Sequence, residues 1–178
     1  MTEVLYGYAG SILQVDLSDN SISIEKPDEA TYRQYLGGTG IGAKYLYEGL
    51  PQKTEWNDPQ NVLVFATGPL GGTTLPGSGN FSVVTKGALT NGATSSQANG
   101  FFGAYMKFSG FDAIIVKGAS SKWVYLYMHD GVAELIDATH LLGKDTWEIE
   151  DAIKQDQGLT EHQASVFGVG PAGENMVR

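Results

Sequence analysis

The sequence predicts an α+β fold in which two similar units, each a β-hairpin followed by helix and strand, form mixed sheets. Alternating apolar and polar residues flank turn signals at residues 11–25 and 124–137, which indicates two hairpins. Helical spacing follows each hairpin, and a short apolar run follows each helix. Strands and helices do not alternate strictly, so the class is not α/β. The order hairpin, helix, strand covers residues 11–67 and again 124–169, which indicates a duplication.

The first unit begins with a hairpin that joins SILQVDL to SISIE through residues 18–20. Asp28 or Thr31 can cap the helix that follows, because short polar side chains accept hydrogen bonds from the first helical amides. A Gly-Gly pair at residues 37–38 interrupts this helix, and GAKYLYEGL forms a second one. The apolar run NVLVFATG then predicts a buried strand.

The middle of the chain reads as two further strands and a helix separated by Gly-rich loops. The predicted strands are NFSVVTKG and DAIIVKG, and the predicted helix is GFFGAYMKFSGF. The segments GPLGGTTLPGSG and TNGATSSQANG contain clustered Gly, Ser, Thr and Asn, which is typical of loops.

The second unit contains a hairpin that turns at Asp130 and Gly131, and a helix that starts at Asp145 or Thr146 and ends at Gly158. ASVFGVG is predicted as one more buried strand. The turn at residues 170–175 would follow that strand, so its carbonyls could bind a hard cation. The same turn could equally start a helix with nothing bound.

Composition narrows the function classes. The chain has 178 residues, which suits one domain, and a net charge of −9, which argues against nucleic acid as a partner. It has neither a membrane-length apolar run nor a signal-peptide pattern, so we expect a soluble, cytoplasmic protein. The lack of cysteine excludes thiolate metal sites in these residues, and the three histidines have no ligand-like spacing.

One long segment lacks negative charge. Residues 59–111 contain no Asp or Glu, although the chain holds 20 acidic residues, and they are rich in glycine. Backbone amides of Gly-rich turns can bind an anion, which suggests an anionic, phosphorylated ligand. Tight turns alone would also explain the glycines. Lys86 and Lys107 could line such a site, or could simply be solvated.

Common nucleotide and hydrolase motifs fit poorly. GTGIGA satisfies the G-x-G-x-x-A pattern, but a predicted helix precedes it where the dinucleotide fold requires a strand. The chain contains neither the Gly-Lys-Ser/Thr of a P-loop nor the G-x-S-x-G of a serine hydrolase.

The motifs taken together resemble the N-terminal domain of the tungsten-containing aldehyde ferredoxin oxidoreductase family. They occur in the family's order and cover nearly the whole chain. The matching stretches are GSILQVDLSDNSISIE, YLGGTGIGAKYLYE, NVLVFATGPLGGT, FSVVTKGALTNG, NGFFGAYMKFSGFDAIIVKG, VYLYMHDGVAELIDATHLLGKDTWE and GVGPAGENMV.

The resemblance implies that residues 1–178 form one cofactor-facing domain. The implied cofactor has two pterin dithiolenes on one tungsten, or molybdenum, with a magnesium ion bridging the pterin phosphates. The intact enzyme would oxidise aldehydes to carboxylic acids and pass electrons through a [4Fe–4S] cluster, held in further domains, to ferredoxin or another electron carrier. A homo-oligomer is compatible with this picture.

The resemblance also implies site residues, none of them catalytic. Ala172, in the AGEN motif, and Gln97 would supply backbone carbonyls to magnesium. The full set of implied cofactor neighbours is Gly79, Asn80, Gln97, Gly100, Ala172, Gly173, Glu174 and Asn175. Two positions depart from the family: Asn80 replaces the usual Arg, which removes a charge-assisted bond worth about 1.5–3 kcal/mol, and Gln97 replaces Asn.

The family continues past the AGEN turn into domains that this sequence does not include. We therefore expect a fragment that is inactive alone. A non-catalytic pterin-binding or assembly module is the alternative, as is a family member that acts on another substrate, such as an aromatic ring. An exposed apolar surface would favour the fragment, and a closed polar surface would favour the module.

Overall fold

The computed structural model describes residues 6–177 and confirms the α+β class. The elements in chain order are strands β1 (Ile12–Asp16) and β2 (Ser21–Glu25), helices α1 (Glu29–Tyr35) and α2 (Gly38–Gly49), strands β3 (Leu63–Ala66), β4 (Phe81–Lys86) and β5 (Ala93–Ala98), helix α3 (Phe102–Phe108), strands β6 (Ala113–Lys117), β7 (Val124–His129) and β8 (Val132–Asp137), a 3₁₀ helix (Thr139–Leu141), and helices α4 (Thr146–Asp156) and α5 (Pro171–Glu174).

Six strands form one mixed sheet, and β7 and β8 form a separate hairpin sheet. The order in the large sheet is β2-β1-β6-β3-β4-β5. β1 and β6 are parallel, with Ile12 opposite Ala113, whereas all other neighbours are antiparallel. The sheet therefore places the end of β3, the start of β4 and the end of β5 at the same end of the molecule.

Alternating apolar residues cover both faces of the large sheet. Ile12 and Ile115 point toward α2, where they pack with Ile41 of that helix. Leu13 and Ile114 point to the opposite face, where α3 and the β7-β8 hairpin cover them. The period-two pattern of the strands is what allows helices to pack on both faces.

The turn chemistry of the first unit agrees with the sequence. Asp28, one of the two candidate caps, caps α1 by accepting from the Thr31 amide at 2.8 Å. The chain reverses at Leu36, which has a positive φ of 59°, and α2 then begins at Gly38 rather than after Gly40. Asp130 and Gly131 both have positive φ, as a tight hairpin turn requires.

Besides the start of α2, two sequence predictions are wrong. The loop predicted over TNGATSSQANG contains β5, which pairs along its whole length with β4. The small polar residues of β5 do not show the apolar alternation that predicts a strand. Its pairing with β4 stabilises the strand instead. The strand predicted over residues 164–170 does not form among the described residues, so the second unit lacks the closing strand of the first.

The second unit has a smaller core of its own. Ile149 and Ile153 of α4 pack against Ala138 and Leu141. Asp145 starts α4 with a capping box, since its carboxylate accepts from the Glu148 amide while the Glu148 carboxylate accepts from the Asp145 amide. Within residues 6–177, no helix is long and apolar enough to cross a bilayer.

Candidate functional site

The best candidate site lies at the end of the large sheet where β3 ends and β4 begins. The amide of Gly38, the first residue of α2, donates to the Thr67 carbonyl at 2.9 Å, which fixes the start of α2 beside the end of β3. In the same place Gln97 of β5 pairs with Ser82 of β4. The loop from β3 to β4, the loop after β5 and the start of α2 therefore converge on one polar region.

Side chains of α2, of β4 and the residue before it, and of β5 form a polar strip, which we define as Thr39, Asn80, Ser82, Ser95 and Gln97. The Thr39 hydroxyl hydrogen-bonds with that of Ser82 at 3.2 Å and with that of Ser95 at 2.8 Å. The Gln97 side chain is exposed and makes no hydrogen bond within residues 6–177. The strip thus presents hydroxyl and amide groups without any carboxylate.

Asn80 is held by its own loop. Its side-chain amide donates to the Gly77 carbonyl at 3.1 Å, and its backbone carbonyl accepts from the Thr67 hydroxyl at 3.5 Å. The residue is exposed directly before β4. Its side-chain oxygen remains available to a ligand, since only the amide nitrogen is used.

Gly79 and Gly100 bring the two loops of this region into contact. A Cβ placed on Gly79 would lie 2.4 Å from the Gly100 carbonyl oxygen, so a side chain would force the loops apart. Gly100 has a φ of 132°, which other residues rarely adopt, and open space beside its Cα. Both glycines border a loop groove of about 460 Å³ whose rim includes Leu75, Phe101 and Phe108.

The four predicted residues Gly79, Asn80, Gln97 and Gly100 are therefore brought together, whereas the terminal turn is fastened to the second unit. The Glu174 carboxylate accepts from the Gly143 amide at 3.1 and 3.0 Å, which ties α5 to the second unit. The Asn175 amide donates to the Pro171 carbonyl at 2.7 Å. No hydrogen bond among the described residues joins this turn to the polar strip.

Ala172 and Gly173 of the turn make contacts that stabilise the local structure. The Ala172 carbonyl accepts from the Val177 amide at 3.0 Å, so one of its two lone pairs is in use. A Cβ on Gly173 would lie 2.7 Å from the Cβ of Val169, which explains that glycine by close packing.

Both lysines of the acid-free segment donate hydrogen bonds to loop carbonyls. Lys86 donates to the Thr54 carbonyl. Lys107 donates to the carbonyls of Gly7 and Gly68 and lies 3.7 Å from the Asp112 carboxylate. Burial lowers the pKa of Lys107, and the Asp112 charge opposes this shift. The lysines thus fasten loops and do not line a basic cleft.

Asp112 is a connecting residue that the sequence analysis did not single out. Its carboxylate is 5% exposed and accepts from the amides of Ala9 and Gly10 at 2.9 and 2.7 Å, and from the Tyr32 hydroxyl at 3.0 Å. Burial and this negative charge raise the pKa of Tyr32. The only sequence signal was an acidic residue immediately before an apolar strand. Thr39, Ser82 and Ser95 were also missed, because they belong to segments read as a break between helices, a strand and a loop.

The GTGIGA stretch owes its glycines to packing. A Cβ on Gly42 would lie 2.4 Å from a methyl group of Val84, and one on Gly40 would lie 2.1 Å from the Tyr35 carbonyl oxygen. The segment is preceded by α1, not by a strand, so the dinucleotide context is absent as expected. Within residues 6–177, no three His, Asp or Glu side chains are grouped as metal ligands.

The fold places an uncharged strip of hydroxyl and amide side chains at one end of a mixed six-stranded sheet. The family model described as aldehyde ferredoxin oxidoreductase, N-terminal domain, matches residues 12–178, and the chain belongs to this family.

Two relatives from Pyrococcus species support the family assignment. The tungsten-containing aldehyde ferredoxin oxidoreductase of Pyrococcus abyssi is 41% identical over 174 residues, which cover 98% of this chain and 28% of that protein. The aliphatic sulfonate oxidoreductase, WOR-like subunit, of Pyrococcus furiosus is 32% identical and covers 98% of this chain and 30% of that subunit. The chain thus spans less than a third of the length of either relative.

A solved structure shows the same fold. The active-site complex BamBC of benzoyl coenzyme A reductase, in complex with 1,5-dienoyl-CoA, has a TM-score of 0.90 and 38% identity. The match covers 96% of this chain and 26% of that one.

Proposed function

We propose that this chain is the cofactor-facing domain of a tungsten, or molybdenum, bis-pterin oxidoreductase that oxidises aldehydes to carboxylic acids and passes electrons to ferredoxin. The family and the relatives support the class of cofactor. The observation that carries the proposal is the polar strip with its adjoining glycine loops, which form an open, carboxylate-free surface in an acidic protein. A cytoplasmic location and a possible homo-oligomer belong to the same proposal.

The residues of the strip fit an anionic, hydrogen-bonding cofactor. Gly79 and Gly100 would let the ligand approach the backbone, while Asn80 and Gln97 would offer amide groups. The magnesium ion would use backbone carbonyls, because grouped carboxylates are lacking in the described part of the chain. Gln97 is the better supported of the two carbonyl ligands, since it lies in the strip; Ala172 stays a prediction.

The bound cofactor would supply the two-electron chemistry. The chain itself would bind and orient that cofactor and keep negative charge away from its phosphates. We assign no acid, base or nucleophile to these residues. Turnover would therefore require the other regions of a protein of the relatives' length, including the iron–sulfur cluster, and the isolated chain would be inactive.

Exposed apolar side chains favour a domain of a larger protein over a free-standing module. Phe101 and Phe108 are 73% and 65% exposed at the loop groove, and Val169 is 56% exposed beside α5. A closed module would cover such groups. Reduction of an aromatic ring is the second candidate reaction, which the benzoyl coenzyme A reductase match accommodates without favouring.

Titration of the ¹⁵N-labelled chain tests the binding surface. The probe is molybdopterin extracted anaerobically from a molybdenum enzyme, added with Mg²⁺. We expect amide shifts at Gly79, Asn80, Gln97 and Gly100 and none at the hairpin tip around Gly131. Shifts confined to other surfaces, or the absence of shifts, would contradict the proposal.

Asn80→Arg sharpens this test because it restores the charged donor that the family usually has. The variant should bind the probe about 10- to 100-fold more tightly, as expected for a charge-assisted bond. Gln60→Arg is the matched control. It adds the same charge near the start of β3, whereas Asn80 lies near the end of that strand. Equal gains in both variants would indicate a long-range charge effect in place of a contact.

A further inference from the structure

Helix α3 contacts both ends of the loop that joins β3 to β4. Gly103 lies against the end of this loop, because a Cβ placed on it would lie 3.4 Å from the Gly79 carbonyl oxygen and 3.1 Å from the Cβ of Phe81. Lys107 lies against the start of the loop and donates to the Gly68 carbonyl at 2.6 Å. Residues four positions apart share one face of a helix, so a single face of α3 spans the two ends of the loop.

The loop between these ends is built from tight turns. The Gly71 amide donates to the same Gly68 carbonyl at 2.9 Å, so that both lone pairs of this oxygen are used. The Gly72 amide donates to the Ser78 carbonyl at 3.4 Å, which closes the loop on itself next to Gly79. A displacement of Gly68 would therefore also displace Gly79.

The contacts of α3 and of the two glycine loops form a closed ring. Gly79 approaches the Gly100 carbonyl so closely that neither loop can move without the other. α3 begins two residues after Gly100 and returns to the first loop through Lys107. The spacing of Gly79 and Gly100 thus depends on where α3 holds Gly68.

Lys107 is itself held from its other side. Its ammonium also donates to the Gly7 carbonyl and lies 3.7 Å from the Asp112 carboxylate. Asp112 fixes the same segment through the amides of Ala9 and Gly10. The Lys107 side chain is 10% exposed, and a charge at this depth has to be paired. The ammonium therefore has a fixed position from which it holds the loop.

We propose that Lys107 is a positioning residue for the cofactor, which acts through the Gly68 carbonyl to set the spacing of Gly79 and Asn80 from Gly100. The inference rests on the proposed function, which places a pterin cofactor at these three residues. Lys107 makes no hydrogen bond with the polar strip within residues 6–177, so the loop is its route to the site.

The contacts distinguish this role from attraction of the cofactor phosphates by a distant positive charge. The Asp112 carboxylate offsets the charge of the ammonium, and the hydrogen bonds of the ammonium go to two carbonyls of the chain itself. Such partners behind a ligand site orient the groups that touch the ligand, and their loss weakens binding about 10- to 100-fold.

Lys107→Met tests the role, since it keeps a side chain of similar length and removes the donors. Titration of the ¹⁵N-labelled variant with molybdopterin and Mg²⁺ should show an affinity about tenfold or more below that of the unchanged chain. Lys86→Met is the matched control, because Lys86 also donates to a loop carbonyl, that of Thr54, in a loop that carries no predicted site residue. It should bind within about twofold of the unchanged chain.

The outcomes separate this inference from the proposed function. Equal losses in the two lysine variants, or no loss in Lys107→Met, would overturn the positioning role. Failure of the unchanged chain to bind the probe would contradict the proposed function instead. The amide spectrum of β6 in each variant reports whether the large sheet is intact.

Gly103→Ala disturbs the other contact of α3 without changing any charge. The added methyl group would press on Phe81, so α3 should shift from the loop end, although alanine favours a helix more than glycine does. We expect an affinity about threefold or more below that of the unchanged chain. Gly168→Ala is the control, since a Cβ there meets nothing within 4 Å. A loss in Lys107→Met without one in Gly103→Ala would indicate charge attraction and would overturn the positioning role.

The pH dependence of binding is a further readout. Burial lowers the pKa of Lys107, which the Asp112 charge opposes, so the ammonium should lose its proton below the ordinary lysine range. Tyr8 and Tyr32 face this pair and have raised pKa values, so they stay neutral there. The unchanged chain and Lys86→Met should lose affinity as the pH rises through the Lys107 pKa, whereas Lys107→Met should lack this step. Titration of the pterin is common to all three, so identical profiles would overturn the proposal.

Discussion

The first region of the molecule, residues 6–118, and the second, residues 119–177, use the same order of hairpin and helix but reach different degrees of completeness. In the first, β6 joins the hairpin in parallel and β3 joins β6, so the sheet has six strands. In the second, no described strand joins the β7-β8 hairpin. The hairpin and helix of the second region, without a third strand, therefore form only a small core.

Burial shows the consequence of this difference. Ile12 and Val64 of the first region are fully buried, whereas Ile149 and Ile153 of the second remain 8% and 7% exposed. Side chains pack on both faces of the large sheet, whereas strand β7 of the second region lines an open apolar cavity of about 690 Å³. We therefore expect the first region to set the global stability and the second to open locally.

Asp112→Ala should break the first region and have the largest effect. It removes the acceptor for the Ala9 and Gly10 amides and leaves the Lys107 ammonium, which is 10% exposed, without its carboxylate. Loss of one partner from a buried ion pair costs about 3–5 kcal/mol. Urea unfolding should show this loss for the whole large sheet.

Glu134→Ala provides the control for Asp112→Ala. Glu134 is exposed on β8 and forms no ion pair or hydrogen bond among the described residues, so its loss should change the unfolding free energy by about 0.5 kcal/mol or less. A cost below about 1 kcal/mol for Asp112→Ala would mean that the loops before β1 are not fastened through this residue.

A pair of equal truncations compares the two cores directly. Ile115→Ala, in the six-stranded sheet, should cost about 4 kcal/mol, and Ile153→Ala, in α4, about 2 kcal/mol, because the looser site can relax around the deletion. Hydrogen exchange should show global destabilisation for the first variant and faster exchange confined to α4 and the hairpin for the second. Equal costs would mean that the two regions unfold as one unit.

Elements that depend on local contacts could be predicted from the sequence, whereas elements that depend on long-range strand pairing could not. Hairpins and caps were predicted correctly, since Asp28 and the Asp130-Gly131 turn act through neighbours a few residues away. β5 was missed because ATSSQA has no apolar face, and its pairing with β4 is not encoded locally. Residues 164–170 have the composition of a strand, yet pairing needs a neighbour that the described residues do not supply.

The candidate site was predictable only in part. The acid-free, Gly-rich segment marked the right region, and the resemblance supplied Gly79, Asn80, Gln97 and Gly100. Thr39 escaped notice because its hydrogen bond to Ser95 joins residues 56 positions apart. The burial of Lys107 was equally hidden, since the carbonyls that it binds belong to loops far away in sequence.

Asp145→Ala should have the smallest effect and should stay within the second region. The Asp145 carboxylate accepts from the amides of Trp147 and Glu148, both at 2.9 Å, and its loss removes the capping box at a cost of about 1 kcal/mol. Asp151→Ala makes the same substitution at an exposed position within α4 that caps no helix end. It therefore measures the effect of the lost charge and of the changed helix propensity without the loss of a cap. If the second region opens independently, Asp145→Ala will speed amide exchange in α4 while the amides of β3 and β6 keep their protection. Faster exchange in both would show that the small core, although incomplete, is coupled to the large sheet through Phe167 and its ring contacts.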